Sequence, residues 1–587
     1  MPRPLAQPFP TSLPRLLAVL LLAFALLSQA RLAAQANTLL IVADDVGVDN
    51  VTCYGLGANP PPTPNIDALA ARGVRFANAQ ACPLCSPTRA SILTGRHGFR
   101  TGIGTALTGG PGLDPSEVLL PEILSPAGVQ TALIGKWHLG SDLGAATPTA
   151  EGFGEFTGSL QGAINDYYSW PKVTNGVIAT ETTYATTDLV DEALAFVGRT
   201  QGPWFVMLAF HAGHTPLHAP PAGLHTQSLA GLNPTTSPIP FFRAMVQAMD
   251  SEIGRLLSLI PPATLANTNI VFLGDNGSSQ QTTSAPFDPT RAKGTIYQGG
   301  VRVPCIAAGP AVGGSPRVES GLLHVVDLFA TLAGMQGVDA RAAVPATVEL
   351  DTIDQRALLL APGAPPRQFS YTQAFSGSTA MTAAGDTEAM RDARFELLRF
   401  QQSNGTVREE LYDLTSDPWE TTNLLLQPLS TTADAAYRDL WLELARLRGY
   451  SWSQPFGAGC SGGGLTPSLR AITPPAIGTV FTMRVTGISV AASATFGTFG
   501  FADDVWNGTP LPWDLTPLGM TGCSLLLATD TTVFLPRTNT VATWVLPLPA
   551  FSSLLGLHFF TQGFVLVPGA NPAEALSTRA LEIVVGN

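Results

Sequence analysis

Three short, unbroken apolar runs in this chain each end in side chains able to do chemistry. Residues 38–43 (Thr-Leu-Leu-Ile-Val-Ala) run into Asp44 and Asp45. Residues 204–210 (Trp-Phe-Val-Met-Leu-Ala-Phe) run into His211 and His214, and residues 269–273 (Asn-Ile-Val-Phe-Leu) into Gly274, Asp275 and Asn276. A run that is apolar at nearly every position has no wet face, so it suits a strand covered on both sides, as in a parallel sheet. Between the second and third runs, residues 241–259 place Met245, Met249, Ile253, Leu256 and Leu257 at helical spacing, and Pro261-Pro262 stops them. Strands alternating with helices predict an α/β domain whose sheet is sandwiched by helices. Reactive groups in such sheets gather beyond the carboxyl ends of the strands, which is where these acids, amides and histidines fall.

The 587 residues exceed one ordinary core, so two or three domains are expected. With 45% hydrophobic and 13% charged residues the chain packs rather than stays solvated. Its net charge of -12 offers no global field to a nucleic-acid backbone, and nucleic acid is not an expected partner. An anionic substrate would need a local cluster of cations. Of the 31 Lys and Arg residues only Lys136, Lys172 and Lys293 are lysine. A compact ammonium differs from a planar guanidinium in hydration and reach, which singles these positions out.

Arg3 and Arg15 precede an apolar stretch over residues 16–27, and Ala34-Gln35-Ala36 offers small residues for cleavage before Asn37. This reads as an export signal over 1–36, giving a secreted, periplasmic or cell-surface protein. The stretch is short for a membrane span, and no later segment approaches one. Residues 37–370 are assigned to the α/β domain and 371–455 to a small antiparallel subdomain, with a hairpin near 394–414 and a helix near 435–447. From Gly457 a Gly-rich stretch reads as a linker. Beyond it Phe481, Met483 and Val485 alternate with polar residues, and 456–587 is assigned to a separate all-β module. His558 there is isolated in an apolar run and reads as structural. Cys460 and Cys523 are candidates to pair with each other.

The pentapeptide Cys85-Ser86-Pro87-Thr88-Arg89 stands at the centre of the chemistry. Around it lie Ala43–Gly47, Gly135–Gly140 (Gly-Lys-Trp-His-Leu-Gly), His214–Pro216, Gly274–Gly277 and Lys293–Arg302, with 327–331 and 410–418 further on. In order and spacing these landmarks resemble the formylglycine-dependent sulfatases, arylsulfatase-like enzymes of the alkaline phosphatase superfamily, over roughly residues 38–450. One pentapeptide is a weak signal, but six landmarks in order are a strong one. The resemblance implies an alkaline-phosphatase-like fold and a sulfuric ester hydrolase in which a maturation enzyme oxidises Cys85 to formylglycine. The hydrate of that aldehyde has two geminal hydroxyls. One attacks sulfur and displaces the alcohol; loss of the other proton re-forms the aldehyde and expels sulfate. A plain serine would be left sulfated.

Asp44, Asp45, Asp275 and Asn276 are hard oxygen donors suited to Ca²⁺ or Mg²⁺ rather than zinc. By resemblance the ion is one Ca²⁺, held with an oxygen of residue 85. The resemblance makes Arg89 the group that steadies the hydrate; spacing alone puts it on the helix face of Cys85. Lys136 and His138, two apart on one side of an extended segment, would contact sulfate and the formylglycine hydroxyl. Lys293 would be the second sulfate cation, and His214 would bind sulfate and protonate the departing alcohol. Lys172 falls outside the motifs and reads as surface. His211 reads as a packing residue, His218 as a cleft residue, and His97, His225 and His324 as structural.

Other readings compete at single positions. Asp-Asp and Asp-Asn pairs are common turn residues. Cys82 and Cys85 form a Cys-x-x-Cys that could be a local disulfide. Asn276-Gly277-Ser278 matches a glycosylation acceptor. Gln298 stands where the family commonly has Glu, removing a charge near Lys293. For the whole chain the rivals are a phosphate mono- or diester hydrolase of the same superfamily, and a non-catalytic binding protein that uses the β module. Segments 152–156 and 165–168 resemble stretches beside the cleft of sulfatases acting on sugars, so a sulfated carbohydrate is the expected substrate.

Overall fold

The computed structural model describes residues 35–314, 316–364, 366–377 and 379–587. All but the last two residues of the expected export signal lie outside them. The chain forms two compact units, one ending at Leu426 and the other running from Gln427 to Asn587.

The first unit is built on a ten-stranded mixed sheet. In chain order its strands are β1 (Asn37–Ala43), β2 (Val74–Gln80), β3 (Gln130–Lys136), β4 (Glu155–Ser159), β5 (Trp170–Thr174), β6 (Val177–Glu181), β7 (Trp204–Ala209), β8 (Thr268–Gly274), β9 (Cys305–Ala308) and β10 (Arg317–His324). Their spatial order is β10-β2-β9-β8-β1-β7-β3-β4-β5-β6. The centre, β8-β1-β7-β3-β4, is parallel. The three apolar runs are therefore neighbours, β1 lying between β8 and β7, with Val42 level with both Ala209 and Leu273.

Alternate residues of β1 serve opposite layers, because side chains on a strand change face with period two. Leu40 and Val42 pack with Ile92, Phe329 and Leu332 on one face. Leu39 and Ile41 pack with Leu189, Val190, Met245, Met249 and Ile253 on the other. Those residues come from helices Ala185–Arg199 and Pro238–Leu259. The second begins with Pro238 in its first turn, where the missing N–H costs nothing, and ends before Pro261. The expected helix-covered α/β sheet is present. A four-stranded antiparallel sheet follows: β11 (Ser370–Ala374), β12 (Thr387–Arg391), β13 (Phe395–Gln401) and β14 (Val407–Asp413).

In the second unit Ser430 caps helix Thr431–Arg448 by accepting from the Ala433 N–H, and Gly449 closes it at φ 69°. Strand Trp452–Phe456 pairs with Ala575–Val584. The stretch before Gly457 thus belongs with the β strands that follow, not with a subdomain ending at 455. Nor is the Gly-rich stretch a free linker: the Cys460 N–H donates to Ser577 O, and Cys460 is bonded to Cys523. Sheets of five and four strands share one core, where Phe481, Met483 and Val485 meet Phe559, Val565, Leu581 and Ile583. That makes an antiparallel sandwich. His558 is not isolated; its Nε2 sits 2.8 Å from Glu582, which also pairs with Arg438. No helix among the described residues is long and apolar enough to cross a membrane.

Candidate active site

Hydrogen bonding continues past the ends of β1 and β8 and brings their acids together. The Asp275 N–H donates to Ala43 O, and the Asp45 N–H donates to Asp275 Oδ1 at 3.2 Å. Asp45 is left-handed, at φ 61°, which turns its carboxylate back toward Asn276, whose Nδ2 donates to Asp45 Oδ1 at 2.8 Å. Gly277 follows because the loop lies against residues 298–300: a Cβ there would sit 1.9 Å from Gly299 O.

Cys85 is the first residue of helix Cys85–Thr94, every residue of which is buried. The free N–H groups of a helix start favour anions, so the opening turn presents a positive end where residue 85 stands. Arg89, one turn on, donates to Asp275 Oδ2 at 2.8 Å and to Lys136 O at 2.9 Å. Lys136, the last residue of β3, reaches Asp44 Oδ2 at 2.6 Å. Lys293 lies 2.5 Å from Asp45 Oδ1, and His214 Nε2 lies 4.0 Å from Asp45 Oδ2. Ligand atoms of Asp44, Asp45, Cys85 and His214 all fall within 4.8 Å of one another. The side chains of Lys136 and Asp44 are fully buried, whereas those of Lys293 and His214 keep 16% and 19% exposure. The inner cation holds the acids, and the outer cation and histidine face whatever enters.

Burial alone would raise the Asp44 carboxyl, but Lys136, His214, Arg89 and Lys293 outweigh it and hold Asp44 ionised. Burial, then the charge of Asp44, pushes Asp275 up to about 6. Burial also pushes the Cys85 thiol up to about 11 and the His138 ring down to about 3. Crowded carboxylates of this kind favour a cation. Asp44 Oδ1 and Asn276 Oδ1 are buried with no hydrogen-bond partner, an expensive condition that a bound ion would relieve. Oxygen donors from two strand ends therefore fit a hard divalent ion.

Every expected site residue lies in this cluster: Asp44, Asp45, Cys85, Arg89, Lys136, Asp275, Asn276, Lys293 and His214 through the contacts above, and His138 beside them. His138 departs from the expected geometry. The strand ends at Lys136 and His138 is left-handed at φ 60°, because its Nε2 turns to Leu107 O at 2.7 Å while Nδ1 stays buried without a partner. Sequence reading overlooked the groups that hold it. Ser86 Oγ donates to His138 O, and Gly162 lies so close that a Cβ would meet the ring Nε2 at 2.2 Å. The one Tyr167 hydroxyl proton is shared between His211 O at 2.7 Å and His214 O at 3.0 Å, tying the histidine loop to the stretch flagged at 165–168. His218 stacks on Tyr167 at 4.0 Å between ring centroids.

Lys172 is a correction. It is 7% exposed, and its Nζ lies 2.7 Å from both Asp188 and Glu192, so it is a buried ion-pair centre rather than a surface residue. Cys82 and Cys85 are both free thiols, and Asn276 is fully buried, unreachable for a glycan.

The Sulfatase family model matches residues 36–338. That is more than half of the chain, and the protein belongs to the sulfatase family; it is a sulfuric ester hydrolase. Pig N-acetylgalactosamine-6-sulfatase is 30% identical over 387 residues, covering 59% of this chain and 70% of that protein. Human arylsulfatase A is 30% identical over 441 residues, covering 66% and 83%. The crystal structure of Ps i-CgsB in complex with k-i-k-neocarrahexaose is similar with a TM-score of 0.59 and 26% identity, covering 70% of this chain and 93% of that one.

Proposed function

We propose that this protein hydrolyses sulfate esters of carbohydrates with a formylglycine formed from Cys85 by a maturation enzyme, assisted by one Ca²⁺. The observation that carries the reading is residue 85 at a buried helix start, its ligand atom within 4.8 Å of those of Asp44, Asp45 and His214, in a cluster where Asp44 Oδ1 and Asn276 Oδ1 lack partners. Asp44, Asp45, Asp275, Asn276 and residue 85 would hold the ion. When bound it would neutralise a sulfate oxygen and favour an ionised hydroxyl. The aldehyde hydrate supplies a hydroxyl able to attack sulfur and a second whose proton can leave.

The remaining work belongs to the side chains. Lys136 and Arg89 pair with the carboxylates of Asp44 and Asp275 and hold them in place. Lys293, partly exposed, takes the sulfate oxygens that face the opening. His138, neutral because burial and then Lys136 depress its ring, accepts a proton at Nδ1. His214 Nδ1 is engaged with Thr215 O at 2.8 Å, which leaves Nε2 to protonate the departing alcohol.

The sugar substrate is supported by the likeness to Ps i-CgsB with its bound neocarrahexaose. Export is supported by the Cys460–Cys523 disulfide, which suits an oxidising compartment. A panel of defined sulfated oligosaccharides tests the substrate: release of sulfate from at least one is expected. Turnover of aryl or lipid sulfates alone contradicts it.

A further inference from the structure

A second cluster of cations lies outside the site just described. A cavity of about 310 Å³ in the first unit is lined by Arg302 and Arg391 together with Asn78, Gln298, Thr415 and Trp419. Arg391, at the end of β12, is 2% exposed, and Arg302 follows the short helix Gln298–Val301. Their guanidinium groups are held by neutral acceptors. Arg391 donates from Nε to Asp392 O and from Nη1 to Gln298 Oε1, at 3.0 and 3.3 Å, and Arg302 donates from Nε to Ala77 O at 3.0 Å. Among the described residues neither makes an ion pair with a carboxylate.

Two buried acids stand nearby but are turned to other donors. Gln298 Nε2 donates to Glu396 Oε2 at 2.9 Å and the Gln298 N–H to Glu420 Oε2 at 2.7 Å. Gln298 bridges the acids and Arg391, on which the charges of Glu396, Asp392 and Glu420 also act, so the cation short of a carboxylate is Arg302. Arg391 is buried and Arg302 half-buried, so the two cations repel each other with part of their hydration lost, an arrangement that an anion joining them would relieve. Burial, then Arg391 and Arg75, push Arg302 down to about 10, as expected for a cation lacking its counterion.

We propose that this cavity is a second anion-binding site, taking a small oxyanion through Arg302 and Arg391. The planar, multidentate donors suit sulfate, phosphate or carboxylate oxygens, with Thr415 and Asn78 as neutral partners at the opening. The oxyanion has two sources: the free ion, including the sulfate released by the reaction, or a second anionic group on a saccharide. The cavity stands independently of the reading of Cys85, since none of its residues contacts the acids or cations of the candidate active site.

Crystals of the full chain soaked in selenate test it by anomalous scattering. A selenium peak within hydrogen-bonding distance of Arg302 and Arg391 is expected, and it should vanish in Arg302→Gln and in Thr415→Glu, the latter an exposed change that brings in a carboxylate without disturbing the core. An empty cavity in the unaltered protein overturns the proposal, as does a peak that persists in both variants. Steady-state kinetics then separate the sources. A rise of roughly threefold in KM for a sulfated oligosaccharide, with KM for a small aryl sulfate unchanged in Thr415→Glu, identifies a group of the saccharide. A selenate peak with both KM values unchanged identifies the free oxyanion.

Discussion

The two units handle buried polarity in opposite ways. In the first, buried polar atoms without a partner occur at many places, and five of them lie together beyond the carboxyl ends of the central strands: Asp44 Oδ1, Asn276 Oδ1, His138 Nδ1 and both ring nitrogens of His211. In the second, Thr495 Oγ1 is the one such atom among the described residues; Glu582 is shared by Arg438 and His558, and the cysteines are joined to each other. Unsatisfied buried groups cost stability and persist where a function needs them. The difference assigns the chemistry to the first unit and self-contained packing to the second.

Five experiments can break or sharpen this contrast. Cys85→Ala should lower kcat by on the order of 10⁴-fold or more while leaving the fold intact by circular dichroism; retained turnover would erase the distinction between the units. His214→Ala should slow a saccharide sulfate by about 10²-fold or more, and an aryl sulfate far less, because phenolate departs without a proton. Lys172→Met leaves Asp188 and Glu192 without their shared cation. A loss of about 3–5 kcal/mol in the denaturant unfolding of the first unit is expected, with KM unchanged. Cys460→Ser opens a link between positions 63 residues apart and should cost about 2–4 kcal/mol in the second unit alone, read by calorimetry, with activity unaltered. Chelation of the metal should reverse that pattern. The first unit loses about 2.7 kcal/mol if the ion stood at a hundred times its Kd, and its thermal midpoint falls while that of the second unit stays.

The sequence made the site legible because its parts are local. Asp44 and Asp45, Asp275 and Asn276, and His214 each follow an apolar run, and runs of that type have few places to go except the middle of a covered sheet. Cys85 and Arg89 sit one helical turn apart and lie on the expected helix. What could not be read depends on long-range contacts. Lys172 reads as surface because it falls outside the motifs, yet helix Ala185–Arg199 supplies Asp188 and Glu192 to bury it. Trp452–Phe456 shows its allegiance only through Ala575–Val584, more than a hundred residues away. The turn at His138 depends on Leu107 O, and period-two reasoning fails where a strand stops at Lys136.

The central claim concerns the side chain at position 85, so the most direct measurement is mass spectrometry of the peptide carrying it, from active enzyme, with and without an aldehyde-capturing hydrazide. The account predicts an aldehyde at residue 85, captured by the probe, in an amount that scales with specific activity across preparations. Fully active enzyme whose peptide carries only the unmodified thiol would contradict it.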